Sequence, residues 1–113
     1  MPSTTARLRA VKTLHTAAWA FFAGAILLLP VAAWRGDFRL AWMLAGLVAL
    51  ECAIIVVNAW SCPLTAVAAR YTTDRRPNFD IYLPIWLARW NKVVFGALYL
   101  IGLLYTIMRW RGR

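Results

Sequence analysis

The chain is poor in the residues most chemistry needs. Of 113 residues only four are acidic, one is histidine and two are cysteine. With a single histidine, no Cys-x-x-Cys, no His-x-x-x-His and no second ligand pair, neither a metal site nor a haem site is expected, and no cofactor is implied. No nucleophile triad, glycine-rich phosphate loop or paired-carboxylate motif is present in the linear sequence, so no catalytic residue is assigned and a conventional hydrolase is not expected. Cys52 and Cys62, if both on one helix, lie about 15 Å apart along its axis, too far for a disulfide, so they do not reveal the redox compartment.

What is abundant is apolar surface. Hydrophobic residues make up 63% of the chain and charged residues 15%. A soluble domain of this length has too little interior to hide that much. The surplus calls for a bilayer, and seven tryptophans suit its interfaces. The net charge of +9 would suggest nucleic acid in a soluble protein. Here the basic residues flank the apolar stretches: Arg7, Arg9 and Lys12; Arg35 and Arg39; Arg70, Arg75, Arg76, Arg89 and Lys92; Arg109, Arg111 and Arg113. That distribution fits anionic lipid headgroups and not nucleic acid. Arginine, alanine and tryptophan usage is compatible with a high-GC bacterial gene, and the bacterial inner membrane is the expected location.

Three spans are predicted, over about 13–34, 40–62 and 93–110. The first, Thr13 to Trp34, carries no charge unless His15 is protonated and exceeds what the ~30 Å hydrocarbon core requires. A cleaved signal peptide, suggested by the basic start and Val31–Ala33, is disfavoured by the length and aromatic content of the run. The second span is interrupted by Glu51. The short Arg35–Arg39 connection makes the first two spans an antiparallel hairpin. Residues 63–91 cannot be a simple span, because Arg70, Asp74, Arg75, Arg76 and Asp80 would lie in hydrocarbon. They are read as an interfacial amphipathic helical loop, with Ser61 capping a short helix that has Pro63 in its first turn and Pro84 opening the next. Arg70, Arg75, Arg76, Trp86, Arg89 and Trp90 are its candidate lipid contacts. The arginines are also placed to pair with Asp74 or Asp80. The expected fold is therefore all-α: one integral membrane bundle with three transmembrane helices and an interfacial loop. With the amino terminus in the cytoplasm eight basic residues are inside and five outside, which sets the expected orientation.

A carboxylate in mid-bilayer costs several kcal/mol unless it is protonated, paired or facing a wet cavity, which singles out Glu51. At 100° per residue Asn58 and Cys62 lie within about 20° of it on a continuous helix. This stripe should face the bundle. His15 is expected level with Asn58 and Cys62, and Glu51 about 10 Å deeper. On the last span Phe95, Tyr99, Gly102 and Thr106 share a face, with Tyr99 a candidate donor to Glu51 and Gly102 allowing close helix approach. The polar groups can serve as interhelical glue, each worth about 1 kcal/mol, or form a pocket for a proton, a lipid headgroup or a small ligand.

Cys62-Pro63-Leu64-Thr65, preceded by an acid in the same span, resembles a family of small bacterial membrane proteins known as domain of unknown function twenty-seven eighty-four. Its pattern of an early histidine, a glutamate in the second span, the Cys-Pro-Leu-Thr box and an aromatic Phe-x-x-Tyr-Leu segment is matched by His15, Glu51, Cys62 to Thr65, and Phe79, Tyr82 and Leu83. The resemblance covers about Leu14 to Met108. The family's Glu-Asn after the box is replaced by alanines and valine before Arg70, and its second histidine is missing. The resemblance implies a shared architecture and polar cluster that includes Thr65, and no activity.

Two functions are thus expected. One is a structural or accessory subunit packing through small-residue faces such as Ala41, Ala45 and Ala49, or Ala20 and Gly24, against a larger membrane complex or itself. The other is an oligomeric membrane protein that binds a ligand, headgroup or proton through His15, Glu51, Asn58 and Cys62.

Overall fold

The computed structural model describes residues 3–112, so Arg113 of the carboxy-terminal basic cluster lies outside the described residues. Four helices follow in order: α1 (Thr4–Trp34), α2 (Phe38–Val57), α3 (Pro63–Ala69) and α4 (Ile85–Arg111). The described residues contain no strand. α1, α2 and α4 are each long and apolar enough to cross a membrane. At 1.5 Å per residue α2 is about 30 Å long, while α1 is about 46 Å and α4 about 40 Å, so both longer helices extend beyond the hydrocarbon.

The helix ends follow from local chemistry. Ser3 accepts from the Ala6 N–H and Asp37 from the Leu40 N–H, capping α1 and α2. Gly36 takes φ 76° in the turn between them, a left-handed conformation that glycine adopts freely. The end of α1 is also held by Arg109, whose guanidinium donates to the carbonyls of Ala33 and Trp34.

α1 is the central element. It packs most extensively on α4 and then on α2, whereas α2 and α4 touch little. The dense core lies in the half of the bundle that holds the α1–α2 turn. There Leu29, Ala32 and Ala33 of α1 meet Ala41 and Ala45 of α2, while Tyr99 and Leu103 of α4 pack over them. The alanines let the backbones approach closely. Gly102 is buried where α4 crosses Pro30: a Cβ there would meet Leu29 and Pro30 side chains at 3.4 Å. Thr106 is fully buried and returns its hydroxyl to the Gly102 carbonyl at 2.7 Å. The predicted Phe95–Tyr99–Gly102–Thr106 face thus packs inward. Ala41 and Ala45 do too, but Ala20, Gly24 and Ala49 are exposed.

The second span is shorter than expected. α2 stops at Val57, and Cys62 lies outside it. Proline at 63 excludes Cys62 from helical backbone, and Cys62 sits at φ −64°, ψ 140°. Ala59 and Trp60 take φ 57° and 65°, reversing the chain. The Asn58 amide donates to the Ser61 carbonyl at 2.8 Å, and the Ser61 hydroxyl donates back to the Asn58 carbonyl. Lys92 donates to the Trp60 carbonyl, tying the turn to α4. Cys62, and not Ser61, is the residue before α3, and Pro63 occupies its first turn. The interfacial loop ends at Pro84, because α4 runs unbroken from Ile85; Trp86, Arg89 and Trp90 are its exposed opening turns.

Candidate functional site

Four segments meet where the core thins out. The chain from α3 to α4 folds back over the start of α1: the Tyr82 N–H donates to the Thr16 hydroxyl at 2.9 Å, and the Lys12 ammonium sits 4.5 Å from the Tyr82 ring centre. This places Asp80 beside His15. The His15 Nδ1 lies 3.0 Å from the Asp80 carbonyl oxygen and 3.5 Å from its carboxylate Oδ2. A carbonyl only accepts, so Nδ1 carries the proton and the lone pair of the neutral ring is on Nε2. Thr65 in turn donates its hydroxyl to Asp80 Oδ2. Asp80 is only 6% exposed, and its two partners account for its burial.

The Cys62 thiol and the His15 ring line the same vestibule. Burial pushes this thiol up, but hydrogen bonding to His15 and from the Leu64 N–H, with the charge of His15, outweighs it and holds Cys62 below the ordinary thiol range. The thiol, imidazole and carboxylate are thus gathered around one vestibule. Among the described residues no group of three histidine, cysteine or acidic side chains is arranged to hold a metal ion.

Two cavities meet here. A polar vestibule of about 450 Å³ is lined by His15, Cys62, Thr65 and Asp80, with Arg75 and Arg76 at its rim. An apolar groove of about 200 Å³ runs between α2 and α4, floored by Trp19, Phe22 and Ile26 of α1 and walled by Ile55 and Phe95. Glu51 lines both. Its carboxyl accepts no hydrogen bond among the described residues, and His15, which lines the same vestibule, is close enough to act on it electrostatically. Asn91 and Lys92 also line both compartments, and Asn91 is fixed by the Trp19 indole N–H at 2.6 Å.

The expected polar stripe is therefore rearranged. His15, Glu51, Cys62 and Thr65 come together. Asn58 does not: its amide closes the turn after α2, where the predicted helical register no longer applies. Tyr99 does not reach Glu51 either. Its hydroxyl donates to the Ala45 carbonyl at 2.8 Å, a position near the core end of α2. Asp80 is the residue that sequence reasoning missed. It was grouped with the loop charges as an arginine partner, but only Asp74 takes that role, bound by Arg76 through side chain and backbone. Arg75 instead donates to loop carbonyls and lies over Phe79, and Arg70 is exposed. The apolar run Ile81-Tyr82-Leu83 beside Asp80 is the one signal that this acid faces inward.

No family profile, curated protein or solved structure matches this chain.

Proposed function

We propose that this chain is a bacterial inner-membrane protein that binds an amphiphile, with the polar end in the vestibule and the apolar end in the groove. One observation carries the reading: a vestibule with polar groups in its wall and an apolar groove lie side by side, and Glu51, which accepts no hydrogen bond among the described residues, lines both. The groove lies between two helices that touch little, so an apolar chain can slide in sideways from the lipid. Eight basic residues at the vestibule end against five at the other support a cytoplasmic amino terminus, which puts the vestibule at the cytoplasmic headgroups.

The test is native mass spectrometry of the particle extracted in mild detergent. Wild type should retain a stoichiometric amphiphile. Gly96→Phe should lose it, because Gly96 lines the groove and a Cβ there has open space around it. Equal retention by both proteins would refute the reading.

The accessory-subunit reading keeps one observation in its favour. Gly24 and Gly46 face outward with nothing within 4 Å of a Cβ, leaving smooth surfaces for another helix. It predicts larger subunits in the same particle and their loss in Gly24→Leu. Ala45 is not available to such a partner, because its side chain is buried within the chain's own core.

A further inference from the structure

We propose that Cys62 is an acyl-accepting nucleophile, with His15 as its base and Asp80 positioning that base, and that it takes a long-chain acyl group from a thioester. The groove that would hold the chain belongs to the amphiphile reading above. The chemistry rests on separate contacts around His15.

A nucleophilic thiol needs a base within reach and a third group to orient that base. All three are present and come from distant parts of the sequence. Asp80 holds His15 by Nδ1, through its carbonyl at 3.0 Å and its carboxylate at 3.5 Å. The ring is thereby fixed in the tautomer whose Nε2 can take a proton. Thr65 restrains the carboxylate from the opposite side. Cys62 is itself held between the Ala59–Trp60 reversal and Pro63, and it lines the same vestibule as the ring. The other cysteine, Cys52, is exposed on α2 and has no imidazole beside it. The acyl class follows from the surroundings. The thiol opens on a polar chamber that leads past Glu51 into an apolar groove, so a reacting carbonyl at Cys62 places its hydrocarbon in the groove and its polar carrier toward Arg75 and Arg76 at the rim.

The step balances without an oxidant, reductant or nucleotide. His15 takes the thiol proton, and the thiolate attacks the carbonyl carbon of the donor. The new C–S bond to Cys62 forms as the donor's C–S bond breaks. The electron pair leaves on the carrier sulfur, which takes the proton back from His15. One thioester replaces another.

The experiment incubates the full chain in nanodiscs with alkyne-tagged palmitoyl-coenzyme A and follows hydroxylamine-sensitive label. Label is expected on Cys62, lost in Cys62→Ala and kept in Cys52→Ala. His15→Gln should slow labelling about a hundredfold at pH 7 and recover at alkaline pH, where the thiolate forms unaided. A structural role for His15 would not produce that recovery. Undiminished label in Cys62→Ala, or a wild-type rate for His15→Gln at pH 7, overturns the proposal. Where His15→Gln does not fold, Asp80→Asn is read in the same assay: about tenfold slower supports the proposal and an unchanged rate refutes it. Gly96→Phe separates the two readings. It should slow the palmitoyl probe and leave an acetyl thioester probe unaffected. If amphiphile retention fails but Cys62 still acylates through His15, only the amphiphile reading falls.

Discussion

The bond from Thr65 to Asp80 joins α3 to the loop before α4 and is the last support of the His15 ring. Thr65→Val removes the hydroxyl at nearly constant shape. Asp80 is 6% exposed, so water does not simply replace the lost donor. Hydrogen bonds to charged groups are worth ~1.5–3 kcal/mol, so a cost of about 2 kcal/mol is expected, roughly thirtyfold in the folding equilibrium. Asp80→Asn should cost a similar amount, since it weakens both the Thr65 and the His15 contacts. The double variant should fall short of the sum by about 1–2 kcal/mol, because the second substitution removes a partner already lost. Thr65→Ser should stay near wild type. The assay is reversible unfolding in mixed micelles, followed by helical circular dichroism. A Thr65→Val loss below about 0.5 kcal/mol, or strict additivity in the double variant, would refute the claim that this bond organises the vestibule.

Other outcomes follow from the same structure. Gly102→Val should destabilise the bundle by about 1–3 kcal/mol in the same unfolding assay, because its side chain must displace Leu29 and Pro30. Gly24→Val, facing open space, should change the stability of the isolated chain by less than about 0.5 kcal/mol. Tyr99→Phe should cost about 0.6 kcal/mol, a typical interhelical bond in a membrane, because it loses the bond to the Ala45 carbonyl while keeping the ring that lines the groove. The Asp74 carboxyl, bonded first by the Arg76 guanidinium and then by the Arg76 N–H, is lowered from 3.8 to about 2. Its folded value lies below the ordinary one, so the contribution of this pair is whole above pH 3.8 and lost as pH falls through about 2. Carbon-13 titration of labelled Asp74 should show this, and Arg76→Gln should raise the group only part of the way, because the backbone N–H of residue 76 remains.

The spans were legible because a membrane helix is written in bulk composition: long apolar runs with basic flanks leave few alternatives. The packing face of α4 was legible for a related reason, since Gly102 and Thr106 recur at helical spacing. The site was only half legible. His15, Glu51 and Cys62 stand out as polar residues in apolar surroundings. Placing Asn58 with them required the helix to continue past residue 57, and a side-chain-stabilised reversal ended it instead. Asp80 was hidden because it follows the charged run Asp74-Arg75-Arg76 closely and reads as one more loop charge, whereas its neighbours in space are His15 and Thr65. Only the fold-back of the chain onto Thr16 reveals that pairing. Tyr99 was misassigned by one helical turn and a half: its hydroxyl meets the Ala45 carbonyl, six residues before Glu51.

The central place of α1 has a consequence for synthesis. α1 and α2 form a close pair with a short turn, so a hairpin can assemble as soon as residue 57 has left the ribosome. At that stage Glu51 can already enter the bilayer, while Cys62, Asp80 and Lys92 have yet to emerge. At the ~5–20 residues per second of bacterial and eukaryotic translation, the half-built chain carries its acid without the vestibule for several seconds. The site closes only when α4 docks on α1 and draws the preceding loop over His15. A chain released before α4 is complete would leave a hairpin with an uncovered polar face, a recognisable target for membrane quality control.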